Sequence, residues 1–256
     1  ASASFTVAVA AVNDPPVLTA PASATAGEDT PLDLSGFNLV DVDSDTTPIT
    51  VTLTVSDRSD GQFLNGILTI REVAGGVTSA QVVDNLTSAV TITAPVAQIA
   101  ATLSNPSGWS YTPPSNFAGS TGSPKWEILT VTADDGGATG LTSPDGTTDT
   151  RQVTLYVNEV NDPPLVTVPG PAAVDEDVVL NVSGLGNIEV TDADAGNAVV
   201  SVQLSVGRGT ITVDTTVVGG PLITGNGTSQ VVLSGPLTAI NKLLDSFVNY
   251  RGSLNT

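Results

Sequence analysis

The 256-residue chain contains no cysteine, no histidine and no methionine. Without the first two there is no disulfide, no thiolate nucleophile, no imidazole base for a serine triad, no histidine-ligated haem and almost no route to a zinc site. Basic residues are scarce: 7 Lys and Arg stand against 26 Asp and Glu, for a net charge of −19. Nucleic acid is not an expected partner, because binding a phosphate backbone needs clustered Lys and Arg. No apolar run approaches the ~18–20 residues of a helical membrane span. The absent initiator methionine reads as a processed product or an excised segment, and Ala1-Ser2-Ala3-Ser4 is compatible with a cleaved signal.

Aromatic residues are only 4% of the chain, so Val, Ala, Leu and Ile must build the core, with Thr and Ser outside. Branched Val and Thr suit a pleated, half-buried surface. With 25 Gly and 17 Pro as punctuation, the composition is all-β. Among the acids, 20 are Asp and 6 are Glu. Asp is the carboxylate of turns and metal loops. The balance therefore fits divalent cations, or equally an acidic, solvated surface.

The chain repeats itself. Val12-Asn13-Asp14-Pro15-Pro16 recurs 148 residues later as Val160-Asn161-Asp162-Pro163-Pro164. Glu28-Asp29 matches Glu176-Asp177, and Leu32, Leu34, Ser35 and Gly36 match Leu180, Val182, Ser183 and Gly184. Asp43 and Asp45 match Asp192 and Asp194 with one residue inserted. Val96, Ile99, Ala100 and Leu103 follow Pro95 at helical spacing, as Leu237, Ile240 and Leu244 follow Pro236. Each short helix precedes an aromatic strand, Trp109-Ser110-Tyr111 or Val248-Asn249-Tyr250. Period-two alternation marks strands at 49–55, 200–206, 5–9 and 153–157. Short strands between Gly, Asn and Asp turns predict sandwiches.

These landmarks divide the chain. Residues 1–11 resemble 150–159 and read as the last strand of a preceding repeat. Residues 12–160 form a complete repeat, and 161–256 a second one without counterparts of its last two strands, 128–131 and 153–157.

The Asn-Asp-Pro-Pro element resembles the interdomain linker of cadherin-like tandem repeats, including those of large bacterial surface and RTX-type adhesins. That resemblance implies tandem cadherin-like, Ig-like β-sandwiches, each with one short helix, and Ca2+ held by acidic residues around the linkers. For the second linker it implies Glu28, Glu159, Asn161, Asp162, Asp192 and Asp194 as ligands. For the first it implies Asn13, Asp14, Asp43 and Asp45, with Asp135 from Ala133-Asp134-Asp135-Gly136-Gly137. Ala11 stands where the family has a linker carboxylate, so this junction is expected to bind weakly or not at all alone. The family's Asp-Arg-Glu motif has no clear counterpart, because Ile70-Arg71-Glu72 lacks the Asp. Asp41, Asp57, Asp60, Asp145 and Asp149 are expected to be turns.

The function implied is that of a non-enzymatic, calcium-binding structural and adhesion module, a stiff extracellular spacer at a bacterial cell surface. Its partners would be neighbouring repeats, copies of itself, or a host or surface glycan or protein. Two alternatives stand beside it. Residues 1–11 of one copy could complete the second repeat of another, making a head-to-tail filament. A carbohydrate-binding sandwich needs exposed aromatics, and Trp109 and Tyr111 are expected in the core. Asn85-Leu86-Thr87, Asn181-Val182-Ser183 and Asn226-Gly227-Thr228 fit the N-glycosylation pattern.

Overall fold

The structure is a computed structural model. It describes residues 4–253 except 11, 45, 57–64, 118–124, 138–145, 176–177 and 187. The chain divides into two units, residues 1–160 and 161–256. Each is an all-β sandwich with one short α-helix.

In the first unit the strands are β1 (Val17–Thr19), β2 (Ser23–Gly27), β3 (Leu32–Asp33), β4 (Asn38–Val40), β5 (Pro48–Ser56), β6 (Ile67–Ile70), β7 (Val82–Val83), β8 (Ala89–Pro95), β9 (Trp109–Thr112), β10 (Lys125–Asp134) and β11 (Thr148–Asn158). One layer is a six-stranded sheet in the order β2-β11-β10-β5-β8-β7. The ribbons β3-β9-β6 and β1-β4 supply the rest. Alternation makes the large sheet one-sided: Val51, Leu53, Val90, Ile92, Leu129, Val131, Val153 and Leu155 are buried, while the threonines between them face outwards. Trp109 and Tyr111 fill the core from the facing ribbon. Trp109 packs edge-on against Phe37, at 4.7 Å between centroids, and its indole N–H donates to Leu103 O at 3.1 Å.

The helix α1 (Val96–Ser104) follows β8, with Pro95 at its N-cap, and buries Val96, Ile99 and Leu103. Two local devices order the strands. Asp149, read as a turn residue, lies in β11, where its Oδ2 accepts from Leu18 N at 2.8 Å. Arg151 Nε donates to Leu18 O at 3.0 Å, so the pair ties β1 to β11. Asn85 acts likewise on β6: its Oδ1 accepts from Ile70 N and its Nδ2 donates to Ile70 O, at 2.8 and 2.9 Å.

The second unit contains β12 (Leu165–Thr167), β13 (Val179–Asn181), β14 (Glu189–Thr191), β15 (Val200–Ser205), β16 (Thr210–Val213), β17 (Leu222–Thr224), β18 (Gln230–Gly235) and β19 (Val248–Arg251). They form the pair β12-β14 and the ribbons β13-β19-β16 and β15-β18-β17. The helix α2 (Leu237–Leu244) again has Pro at its N-cap. Asn226 repeats the Asn85 device on Val213, at 2.8 and 3.1 Å. The two glycosylation-like Asn-x-Thr motifs thus serve as backbone mimics in both units.

Among the described residues the second unit has no counterparts of β10 and β11, which leaves β15 at a sheet edge. Residues 171–175, the counterpart of β2, form no strand; among the described residues β2 pairs with β11 alone. Residues 4–10, expected as a strand, likewise carry no ladder, and Phe5, Val7 and Val9 are 88%, 69% and 89% exposed. Apolar alternation makes a strand only where a partner edge receives its backbone groups.

Candidate metal centre

Both units build the same carboxylate loop at their N-terminal linker. In the first, Asp43 and Ser44 donate their backbone N–H to Asp41 Oδ1, at 3.0 and 3.2 Å. Asp14 N donates to Asp43 Oδ2 at 2.7 Å. In the second, Asp194 and Ala195 donate to Asp192 Oδ1 at 3.0 and 2.8 Å, and Asp162 N donates to Asp194 Oδ2.

These bonds correct the sequence alignment. Asp41 and Asp43, not Asp43 and Asp45, stand where Asp192 and Asp194 stand. The strand ends agree: Val40 closes β4 just before Asp41, and Thr191 closes β14 just before Asp192. Asp41-Val42-Asp43-Ser44-Asp45 holds two overlapping Asp-x-Asp frames, and matching spacing alone selects the wrong one. Aligning the strand ends finds the right frame. Asp45 lies outside the described residues, as do Asp57, Asp60, Asp145, Glu176 and Asp177.

The linker asparagine also recurs. Asn13, fully buried, donates from Nδ2 to Asp135 Oδ2 at 2.9 Å and to Asp14 O at 3.3 Å. Asn161 Nδ2 donates to Asp162 O at 2.9 Å. Asp135 is only 4% exposed, and its Oδ1 accepts from Gly137 N at 2.7 Å. Gly137 closes that turn with φ +66°, which glycine adopts without strain. The first unit therefore brings Asn13, Asp14, Asp43 and Asp135 to one end, together with Asp41.

Glu28 sits elsewhere in the first unit. The parallel ladder of β2 and β11 ends with Gly27 opposite Asn158. Glu28 N donates to Asn158 O at 3.0 Å, and Glu28 Oε1 accepts from Val160 N at 2.8 Å. The side chain is fully buried, while Glu159 is exposed.

Asp41 Oδ2, Ser44 Oγ and Asp194 Oδ1 are buried and meet no hydrogen-bond donor among the described residues. A buried carboxylate oxygen without a donor is destabilising unless a cation supplies the missing interaction. Every candidate ligand atom is an oxygen. That suits a hard cation with 6–8 oxygen ligands and does not suit zinc or copper.

A further buried carboxylate, Glu127, has no warning in the sequence pattern beyond being an acid among apolar neighbours. Glu127, in β10, is fully buried. It accepts from Tyr111 OH at 2.5 Å and from Gly66 N at 3.2 and 3.1 Å. Gly66 is obligatory, since a Cβ there would lie 2.3 Å from Tyr111 Cε2 and 2.8 Å from Glu127 Oε2.

No family model matches the chain, and no curated protein matches it. Solved structures do. The CsuC-CsuE chaperone-tip adhesion subunit pre-assembly complex of Acinetobacter baumannii matches at TM-score 0.33 and 11% identity, over 86% of this chain and 94% of that one. PcdhgB3 EC1-4 matches at TM-score 0.28 and 14% identity, over 87% and 43%. Human CDH23 EC21-23 matches at TM-score 0.29 and 14% identity, over 87% and 55%. The chain thus spans about half the length of the last two. Among the described residues, no helix is long and apolar enough to cross a membrane.

Proposed function

We propose that the chain is an extracellular, calcium-binding structural module of an adhesion protein, without catalytic activity. The observation that carries this reading is the carboxylate loop built twice from sequences that do not align residue for residue, each time with a buried carboxylate oxygen lacking a donor. Asp14, Asp41, Asp43 and Asp135 with the Asn13 carbonyl serve the first unit, and Asp162, Asp192 and Asp194 the second. Glu28 and Glu159 belong to the same reading through the family resemblance of the linker. Bound calcium neutralises carboxylates that otherwise repel, and the linker following Glu159 stiffens into a spacer. Extracellular modules of this kind work with Kd of ~10⁻⁴–10⁻³ M.

Thermal unfolding in excess EDTA against a calcium titration tests this. At about 5 mM calcium each occupied site should add roughly 1–2 kcal/mol of stability by mass action. Asp41→Asn and Asp192→Asn together should remove most of the rise. Asn keeps the Oδ1 acceptor of the turn and loses only the charge. An unchanged midpoint at millimolar calcium would sink the metal reading and leave an acidic sandwich array.

A further inference from the structure

The chain contains two Asn-Gly dipeptides, Asn65-Gly66 in the first unit and Asn226-Gly227 in the second. An asparagine before glycine is prone to cyclise, because a residue without a Cβ leaves its backbone nitrogen unscreened beside the preceding side-chain amide. In the fold both nitrogens are committed. Gly66 N donates to Glu127, at 3.2 and 3.1 Å from its two oxygens, in a fully buried site. Gly227 N donates to Ile211 O at 2.8 Å.

The second amide is also held at both ends. Asn226 accepts the Val213 N–H on Oδ1 and donates from Nδ2 to Val213 O. Closing Asn226 Cγ onto Gly227 N breaks all these bonds together. Asn85 makes the same ties to Ile70 in the first unit, with Leu86 N donating to Leu68 O at 3.1 Å. There the following residue is leucine, whose side chain screens the nitrogen even after the ties are broken. The chain thus carries its own matched control, a site that differs by the glycine.

We propose that Asn65 and Asn226 are deamidation sites that open only when their own unit unfolds, so that each unit is marked separately and irreversibly. The glycine nitrogen loses its proton to hydroxide and attacks the asparagine Cγ. The new C–N bond expels the amide nitrogen, which takes a proton from water and leaves as ammonia, and a succinimide ring remains. Water opens the ring at either carbonyl and gives aspartate or isoaspartate. The products do not fit the places they came from. Aspartate at 226 sets a carboxylate oxygen where an N–H had donated to Val213 O, so that carbonyl loses its donor and faces charge of its own sign. Isoaspartate at 65 lengthens the backbone by a methylene just before Gly66, where even a Cβ would lie 2.3 Å from Tyr111 Cε2.

The test incubates the full chain at mildly alkaline pH across a urea series and reads deamidation at each asparagine by peptide mass spectrometry. At 65 and 226 the rate should rise at least about tenfold from native to unfolded, as for groups that react only through opening of their unit. The rise at 65 should follow tryptophan fluorescence, which reports the first unit, because Trp109 and Trp126 both lie there. Asn85 should stay slow throughout. Gly227→Ala in full urea, where the fold plays no part, should slow the reaction at 226 several-fold and leave 65 unchanged. Equal rates in native and unfolded chain overturn the proposal, and so does an Asn85 that keeps pace with Asn226. After removal of urea, chains marked at 226 should fail to regain the native circular dichroism transition of the second unit. Full recovery of marked chains overturns the irreversible mark.

Discussion

One substitution, made at two equivalent places, should have two different effects. Tyr111→Phe deletes the hydroxyl that donates to Glu127 at 2.5 Å inside a fully buried site. A hydrogen bond to a charged group contributes about 1.5–3 kcal/mol, and its loss leaves a buried carboxylate short of a donor. Tyr250→Phe removes a hydroxyl with no partner among the described residues, so its cost should be within about 0.5 kcal/mol. The chain provides its own assay, because both tryptophans, Trp109 and Trp126, lie in the first unit. Tryptophan fluorescence in urea reports that unit alone. With a slope of about 2 kcal/mol per molar, Tyr111→Phe should lower the midpoint by about 1 M, and Tyr250→Phe should not move it. Circular dichroism follows the second unit. If the two variants shift their units equally, or Tyr111→Phe shifts nothing, the reasoning about Glu127 is wrong.

Asn85→Ala should cost about 2–3 kcal/mol, because both backbone groups of Ile70 lose their partner; urea unfolding followed by tryptophan fluorescence measures it. Leu86 has φ +67° where the second unit has Gly227 at +80°, so Leu86→Gly should stabilise the first unit by about 0.5–1 kcal/mol in the same assay. Gly66→Ala should prevent that unit from folding, seen as loss of the cooperative fluorescence transition. Glu72 is held below its ordinary 4.5 by the Ser79 backbone N–H at 2.6 Å. Its contribution is therefore present above the unfolded value and is lost as pH falls through the folded one. Glu72→Gln should flatten that part of the acid unfolding curve, and added salt should weaken the effect because the group is exposed.

The repeated architecture was legible because its signals are periodic. Alternation in 49–55 and 200–206, proline before a three-to-four spaced apolar stripe, and buried Trp109 all follow from which faces must leave water. What depends on pairing was not. Residues 5–9 alternate as cleanly as 153–157, yet only the latter find neighbours on both sides. The sequence pattern places acidic residues at both linkers, but the register of the first loop was set by where β4 ends, a fact of the ladder with β1. Glu127 and the Gly66–Tyr111 pair are far apart in sequence, and only the sandwich brings them together.

The parallel ladder of β2 and β11 joins the two ends of the first unit, with Ser23 beside Thr154 and Gly27 beside Asn158. A pull between the ends of that unit draws β2 towards its start and β11 towards its finish, in opposite directions along one seam. The five paired positions are then loaded together in shear and cannot peel apart in turn, so the seam acts as a mechanical clamp. Closing it must wait until residue 158 has been synthesised. The contact that resists force is therefore among the last the unit can form.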